Sequence, residues 1–338
     1  MINPSSISVN PRILCPDHRI PYPGAVTLED LRVLAVVADQ LNLSAAARAL
    51  GCTQGAVSQH IRRLEADLGS PLLVRGQRGS VLTAAGERYA LAAAEALGAL
   101  ARGRRAVDEL ANPGLGVLRI ATGGSTLRHF MAPAIAAFRA DHPATRLELH
   151  SAGSTRRCLQ AVQRDQADLA FVTLGDPLSG FATNATVESD WTLVEPLPAR
   201  PRPAGAIGVD ELAQFDYISL HPASVSGREL NRQLRRAHIV PAVETTVDDW
   251  DTAIALVGLG LGVAIVPALH AVALQPSYRF AMTSITGLTP LRFGWAAIDP
   301  RLLPASAREF ARIFQHDHGQ HGSPLVRTLR EAWQPGAA

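Results

Sequence analysis

Residues 44–68 read Ser44-Ala45-Ala46-Ala47-Arg48-Ala49-Leu50-Gly51-Cys52-Thr53-Gln54-Gly55-Ala56-Val57-Ser58-Gln59-His60-Ile61-Arg62-Arg63-Leu64-Glu65-Ala66-Asp67-Leu68. Ser44 is placed to cap a short Ala-rich helix that Gly51, tolerant of a left-handed backbone, brings to a stop. Thr53 then precedes a second helix reaching Leu68, ended by Gly69 and Pro71. In this helix Val57, Ile61, Leu64 and Leu68 recur at steps of four and three, which makes one buried stripe. The other face carries Gln54, Ser58 and Arg62, with Gly55 and Gln59 beside them. Two helices around a tight turn, the second polar at its N-terminal end, have the form that enters a major groove. Gln pairs bidentately with adenine and Arg with guanine, so these side chains are candidate base readers.

Working outward, Thr27 and Asp30 open an earlier helix in which Leu28, Leu31, Leu34, Ala35 and Ala38 recur at helical spacing. On the other side, Leu72–Arg75 and Ser80–Thr83 flank Gly76-Gln77-Arg78-Gly79 and read as a β-hairpin. Ala84 to Leu110 reads as one long helix whose Leu91, Ala94, Leu97 and Ala101 suit pairing with a second helix. Between Ser44 and Thr83 the basic residues exceed the acidic ones by three, more than the excess of two in the whole chain. Arg75 and Arg78 on the hairpin are candidate phosphate contacts, and local charge of this kind supplies sequence-independent affinity. A plain three-helix core with a solvated polar face is the alternative reading of the same pattern.

Downstream the chain alternates. Strands are expected at 116–121, 146–150 and 169–173, with helices at 126–140 and 155–164, which argues for a parallel sheet flanked by helices. Prolines 196, 198, 201 and 203 break the chain where it would cross into a second subdomain. There a strand is expected at 217–220, a helix at 227–237 and a returning strand at 263–266. Ser125-Thr126 and Ser154-Thr155 each open a helix at a strand end, where free N–H groups favour an anion, and Thr173 ends the next strand. Arg128, Arg156 and Arg157 lie within a turn of these hydroxyls. The apolar run Ala253–Leu269 falls just short of a membrane span, and a buried helix, glycine break and buried strand explain it better.

At 338 residues, 47% hydrophobic and 18% charged, the chain is long enough for about two globular domains. All 32 basic residues are Arg, which removes Schiff-base lysines and the lysine-bearing P-loop from consideration. Cys15, Cys52 and Cys158 form no paired framework, as in a reducing cytoplasm. Cys52, in the turn, is expected to be packed. Cys158, beside Arg156 and Arg157, is the thiol whose setting would favour a reactive thiolate, without a resolving partner in the sequence. His316, His318 and His321 offer a short metal-binding tract, although a solvated tail accounts for them better. No nucleophile elbow or zinc-protease motif occurs, so no catalytic residue, cofactor or metal is expected.

Residues 28–86 resemble the winged helix-turn-helix of the LysR-type transcriptional regulators. The likeness runs through Leu31, Ser44–Ala47, Leu50, Thr53–Glu65, Leu68-Gly69, Pro71–Arg75, Leu82-Thr83 and Gly86. Gly55 stands where the family usually has Pro or Ser, and Leu73 where it has Phe. A weaker likeness, through Gly123–Thr126, Gly153–Thr155, Asp168–Ala170 and Gly260–Pro267, extends to about residue 315. It implies a periplasmic-binding-protein-like effector domain with its ligand between two α/β subdomains.

The division implied is a tail at 1–26, the DNA-binding domain at 27–84, a linker helix at 85–112, an effector domain at 113–315 and a C-terminal tail at 316–338. Within the effector domain, subdomain I takes about 115–194 and 265–315, and subdomain II about 195–264. Val26 is also where the family's chains usually begin, and a GTG start read in frame appears as Val. The resemblance implies a cytoplasmic regulator that binds an inverted repeat in double-stranded DNA as a dimer or dimer of dimers. Its DNA contacts would be Ser44, Thr53, Gln54, Gly55, Ser58, Gln59, Arg62, Arg75 and Arg78. Its small-molecule effector, an anion such as a carboxylate, would meet Ser125, Thr126, Ser154, Thr155 and Thr173. A solute-binding or enzymatic α/β protein with an N-terminal oligomerisation module is the alternative.

Overall fold

Thr27 starts helix α1 (Leu28–Gln40) with a reciprocal cap: its hydroxyl accepts the Asp30 N–H at 3.2 Å and Asp30 accepts the Thr27 N–H at 2.8 Å. The computed structural model describes residues 26–76, 79–111, 116–175, 178–198, 205–222, 224–318, 325–329 and 331–334. They form two compact units, 1–99 and 100–338. Residues 1–25 of the tail expected at 1–26, and the Arg78 position, lie outside the described residues.

In the first unit, α2 (Leu43–Leu50) is capped by Asn42, not by Ser44. The Asn42 side-chain Oδ1 accepts the N–H groups of Ser44 and Ala45 at 2.9 and 3.0 Å, which puts Ser44 inside the first turn. Gly51 ends the helix at φ +66°. Thr53 caps α3 (Gln54–Leu68) by accepting the Ala56 N–H. Val57, Ile61 and Leu64 are buried against Val33, Leu34 and Val37 of α1, whereas Leu68 in the last turn is 38% exposed and outside the stripe. Strands β1 (Leu73–Gly76) and β2 (Gly79–Leu82) form the expected antiparallel hairpin. Glu65 of α3 holds it by accepting the N–H groups of Leu72 and Leu73.

Helix α4 (Ala84–Ala111) then begins so close to the hairpin that a Cβ on Gly86 would sit 2.0 Å from the Leu72 carbonyl oxygen. Only glycine fits there. The small residues Ala90 and Ala93 bury against the core. Of the stripe expected to pair with a second helix, Leu91 is exposed and Ala94, Leu97 and Ala101 are half-buried; Leu100, Val107 and Leu110 are exposed as well.

The second unit opens with β3 (Val117–Thr122) and a continuous helix made of α5 (Gly124–Thr126), a π-helical turn at Leu127–Met131, and α6 (Ala132–Asp141). It continues through β4 (Arg146–Ser151), α7 (Thr155–Gln163), β5 (Leu169–Leu174), β6 (Ala182–Ser189), β7 (Trp191–Pro196), β8 (Ala206–Gly208) and β9 (Asp216–Leu220). Then follow α8 (Val225–Arg236), β10 (Ala242–Val247), α9 (Trp250–Gly258), β11 (Ala264–Pro267), α10 (Ala268–Leu274) and β12 (Phe280–Thr286). The last elements are β13 (Leu291–Ala297), α11 (Ala305–His318) and β14 (Val326–Thr328).

Six strands pair in the order β14-β6-β13-β5-β3-β4, parallel only across β5-β3-β4. Four more pair as β11-β7-β12-β8, and the parallel pair β9-β10 is tied to β11 through a bridge between Tyr217 and Val263. The chain crosses between the sheets at Asp190, before the prolines, because β6 and β7 belong to different sheets. It returns at Leu291 and not near 265: β11 and β12 pair antiparallel with β7. The suspected membrane segment resolves into α9, a turn with Gly260 and Gly262 at positive φ, and β11. Among the described residues no helix is long and apolar enough to cross a membrane.

Candidate functional site

Two polar constellations stand out, one in each unit. On α3, Gln54, Gly55, Gln59 and Arg62 are exposed and Ser58 is half-buried. Thr53 spends its hydroxyl on the cap. Ser44 donates to Gln54 Oε1 at 3.0 Å, which holds the amide oxygen and leaves the NH2 end to meet a partner. Gly55 is not required by packing, since a Cβ there would meet nothing nearer than the Thr53 hydroxyl at 3.9 Å. Arg75 is placed on β1 by its backbone alone.

Arg63, which contributes to the local basic excess, points elsewhere: its Nε donates to the Asp30 carboxylate at 3.0 Å. His60 Nδ1 meets the same carboxylate at 2.7 Å. Asp30 is fully buried. Burial opposes its charge, yet the bonds from Arg63, the Thr27 N–H and His60 hold it well below the usual carboxylate range. The sequence reading used Asp30 only as a cap partner; its link to the later helix spans more than thirty residues and leaves no local signal.

In the second unit, Ser125, Thr126, Ser154, Thr155 and Thr173 all line one cavity of about 320 Å³. The opposite wall comes from residues the sequence did not single out: Leu220, Ser224, Ser226, Asp248, Asp249 and Trp250. Phe171, Phe293 and His270 also line it. Ser154 caps α7, Ser224 caps α8 and Asp249 caps α9, so three helices of nine residues or more begin at this space.

The cavity is crossed by two polar bridges. Asp251 of α9 accepts from Arg128 Nη2 at 2.6 Å, lies 3.1 Å from His129 Nε2, and takes a further hydrogen bond from the Ser125 hydroxyl. Burial would raise the Asp251 pKa, but these donors together lower it. Thr173 and Ser226 share a second bond at 3.0 Å. Each bridge joins an element around the six-stranded sheet to one around the other sheet.

Of the three expected arginines only Arg128 lines the space; Arg156 and Arg157 are exposed. Cys158 is buried and its thiol is pushed up to about 12 by burial, so the reactive-thiolate reading fails: the neighbouring guanidinium groups face solvent. Cys52 is exposed, not packed. His270 is 3% exposed, pushed down to about 4 by burial, and its Nδ1 has no partner among the described residues. His316 is exposed, while the side chains of His318 and His321 lie outside the described residues, which hold no cluster fit for a metal ion.

Two family models cover nearly all of this architecture. "Bacterial regulatory helix-turn-helix protein, lysR family" matches residues 28–87, and "LysR substrate binding domain" matches 111–331. The HTH-type transcriptional activator IlvY of Salmonella typhimurium is 29% identical over 244 residues, 71% of this chain and 82% of its own length. The HTH-type transcriptional regulator CysB of Haemophilus influenzae is 29% identical over 248 residues, 72% of this chain and 76% of its own. Among solved structures, a full-length OxyR variant from Pseudomonas aeruginosa superposes with a TM-score of 0.63 at 19% identity, covering 91% of this chain and 99% of that one. HinK, a LysR family transcriptional regulator from the same species, gives 0.54 at 19% identity, covering 86% and 98%.

Proposed function

The chain belongs to the LysR family of DNA-binding transcriptional regulators, and from that premise we propose how its two sites divide the work. The α3 face, with Gln54, Gly55, Ser58, Gln59 and Arg62, reads base edges, supported by Ser44 and by Thr53 as the cap. Arg75 and Arg78 on the hairpin hold phosphates. The relatives IlvY and CysB are a transcriptional activator and a transcriptional regulator. A receptor or enzyme with an N-terminal oligomerisation module is not what the helix-turn-helix match supports.

The domains run 27–84 for DNA, 85–112 for the linker helix and 113–315 for the effector, whose second subdomain spans about 191–286. The protein works in the cytoplasm as a homodimer on an inverted repeat, and as a dimer of dimers on longer sites. Exposed Leu100, Val107 and Leu110, which share one side of α4, support helix-to-helix pairing of two copies.

The effector is a small anion, a carboxylate by preference, in the 320 Å³ cavity. One observation carries this: six hydroxyl side chains, of Ser125, Thr126, Ser154, Thr155, Ser224 and Ser226, line one space at the N-terminal ends of helices, with Thr173 at a strand end beside them. Arg128 is the cation within reach, and Asp248 and Asp249 restrict the anion to a small one or one that also bears a donor. A ligand that replaces the Ser125–Asp251 or Thr173–Ser226 bond with its own shifts the balance between cleft states, and through it the spacing of the two α3 helices.

The test has two steps. The full-length protein selects an operator from a random duplex pool, and complexes with it are then titrated with a panel of small carboxylates and neutral analogues. A saturable change in footprint with one carboxylate is expected. A response to neutral compounds alone overturns the anion, and failure to enrich any sequence overturns the assignment of α3.

A further inference from the structure

We propose that Asp30 is a positioning residue for DNA recognition: it fixes the roll of α3 and withholds Arg63 from the DNA. The inference rests on α3 being the reading helix and concerns a residue that touches no base.

At about 100° per residue, Gln54, Ser58 and Arg62 lie on one flank of the buried Val57–Ile61–Leu64 stripe, and His60 and Arg63 on the other. Apolar contacts along the stripe are non-directional and permit a small roll. The opposite flank is held by directional bonds. Asp30, anchored on α1 through the Thr27 N–H at 2.8 Å and hydroxyl at 2.7 Å, takes both His60 Nδ1 at 2.7 Å and Arg63 Nε at 3.0 Å. A fully buried carboxylate that met only one of these donors would be poorly compensated, so the two residues one turn apart are held together. That makes one rotational setting of α3 cheaper than its neighbours, and the setting fixes where the tips of Gln54, Ser58 and Arg62 point.

The pairing has a second consequence. Arg63 is 41% exposed and sits beside Arg62, where a loose guanidinium would add a contact to any phosphate regardless of sequence. Asp30 cancels that charge. Specificity is a difference of affinities, so suppressing a non-specific contact raises it as surely as adding a specific one.

The experiment compares Asp30→Asn, Arg63→Gln and wild type on the selected operator and on a random duplex of equal length, across a salt series. For Asp30→Asn the specific-to-random affinity ratio falls about tenfold, the scale of one lost base contact, and the salt slope steepens by close to one phosphate. For Arg63→Gln, a partly exposed position whose change leaves the Thr27 cap intact, the ratio falls while the slope does not steepen. Asp30→Glu, which restores the charge, recovers part of the ratio. Equal loss of both affinities, or an unchanged ratio in folded Arg63→Gln, overturns the proposal. If Asp30→Asn fails to fold, the Arg63→Gln ratio decides alone. Failure of the wild type to select an operator counts against the α3 assignment instead.

Discussion

The two polar surfaces differ in who satisfies them. On α3, the candidate readers Gln54, Gln59 and Arg62 stand exposed, and the buried charge on the helix's other flank is already compensated within its own unit. In the cleft, Ser125 and Thr173 are engaged with Asp251 and Ser226 across the gap. Water serves a surface face until DNA arrives, whereas a half-enclosed cavity must pair its polar groups internally or leave them costly. On the proposed assignment, the DNA face waits preformed and the cleft must break bonds to accept a ligand.

Filling the cleft should separate the two most completely. Thr173→Trp removes the bond to Ser226 and occupies the cavity. Promoter response to the effector is expected to vanish, with affinity for the operator in the absence of effector within about twofold of wild type, as for a change that leaves the first unit's own residues intact. Retained induction places the ligand elsewhere.

Acid should also divide the units. His270 is held neutral, so between its free value of 6.5 and about 4 the unfolded chain binds a proton that the folded chain refuses. Stability of the second unit falls as the pH drops through that window, by at most about 3 kcal/mol. Asp30 is shifted in the same direction, downward, but acts in a lower window: its contribution is fully present above the ordinary carboxylate value of 3.8 and is lost only below it. All four tryptophans, 191, 250, 295 and 333, lie in the second unit, so their fluorescence reports it separately. Denaturant midpoints by fluorescence should decline between pH 6.5 and 4, and His270→Gln should flatten the decline. An unchanged slope in that variant removes His270 as the cause.

The smallest effects probe the face that waits. Gln54→Ala should cost about 1–3 kcal/mol on the operator and nothing on random DNA. Ser44→Ala, which frees the Gln54 carbonyl but removes no base contact, should cost less, about 0.5–1.5 kcal/mol for one hydrogen bond. If Ser44→Ala costs as much as Gln54→Ala, Ser44 touches the DNA itself and the face is less preformed than described.

Much of the first unit was legible because its signals are short-ranged. A Thr three residues from Asp, a Gly at a helix end and apolar steps of three and four each act within a turn or two of helix. The exchange of Ser44 for Asn42 as cap is an error of that same short range, between two residues of equal capping power. The hydroxyls at 125–126 and 154–155 were legible for the same reason, since helix starts after strands are local features.

What the sequence by itself determined, then, was the helix-turn-helix, the hairpin, the parallel β3–β4–β5 portion and one wall of the cleft. Only the tertiary structure decided that β13 inserts between β5 and β6, that β11 and β12 stay with β7, and that Asp251 meets Ser125 from 126 positions away. The same holds for the link between Asp30 and Arg63. Caps and periodicity are set by neighbours along the chain, while strand order and ion pairing are set by whatever the collapsed chain brings alongside. A carboxylate on a helix gives no sign in its own segment of which distant guanidinium will neutralise it.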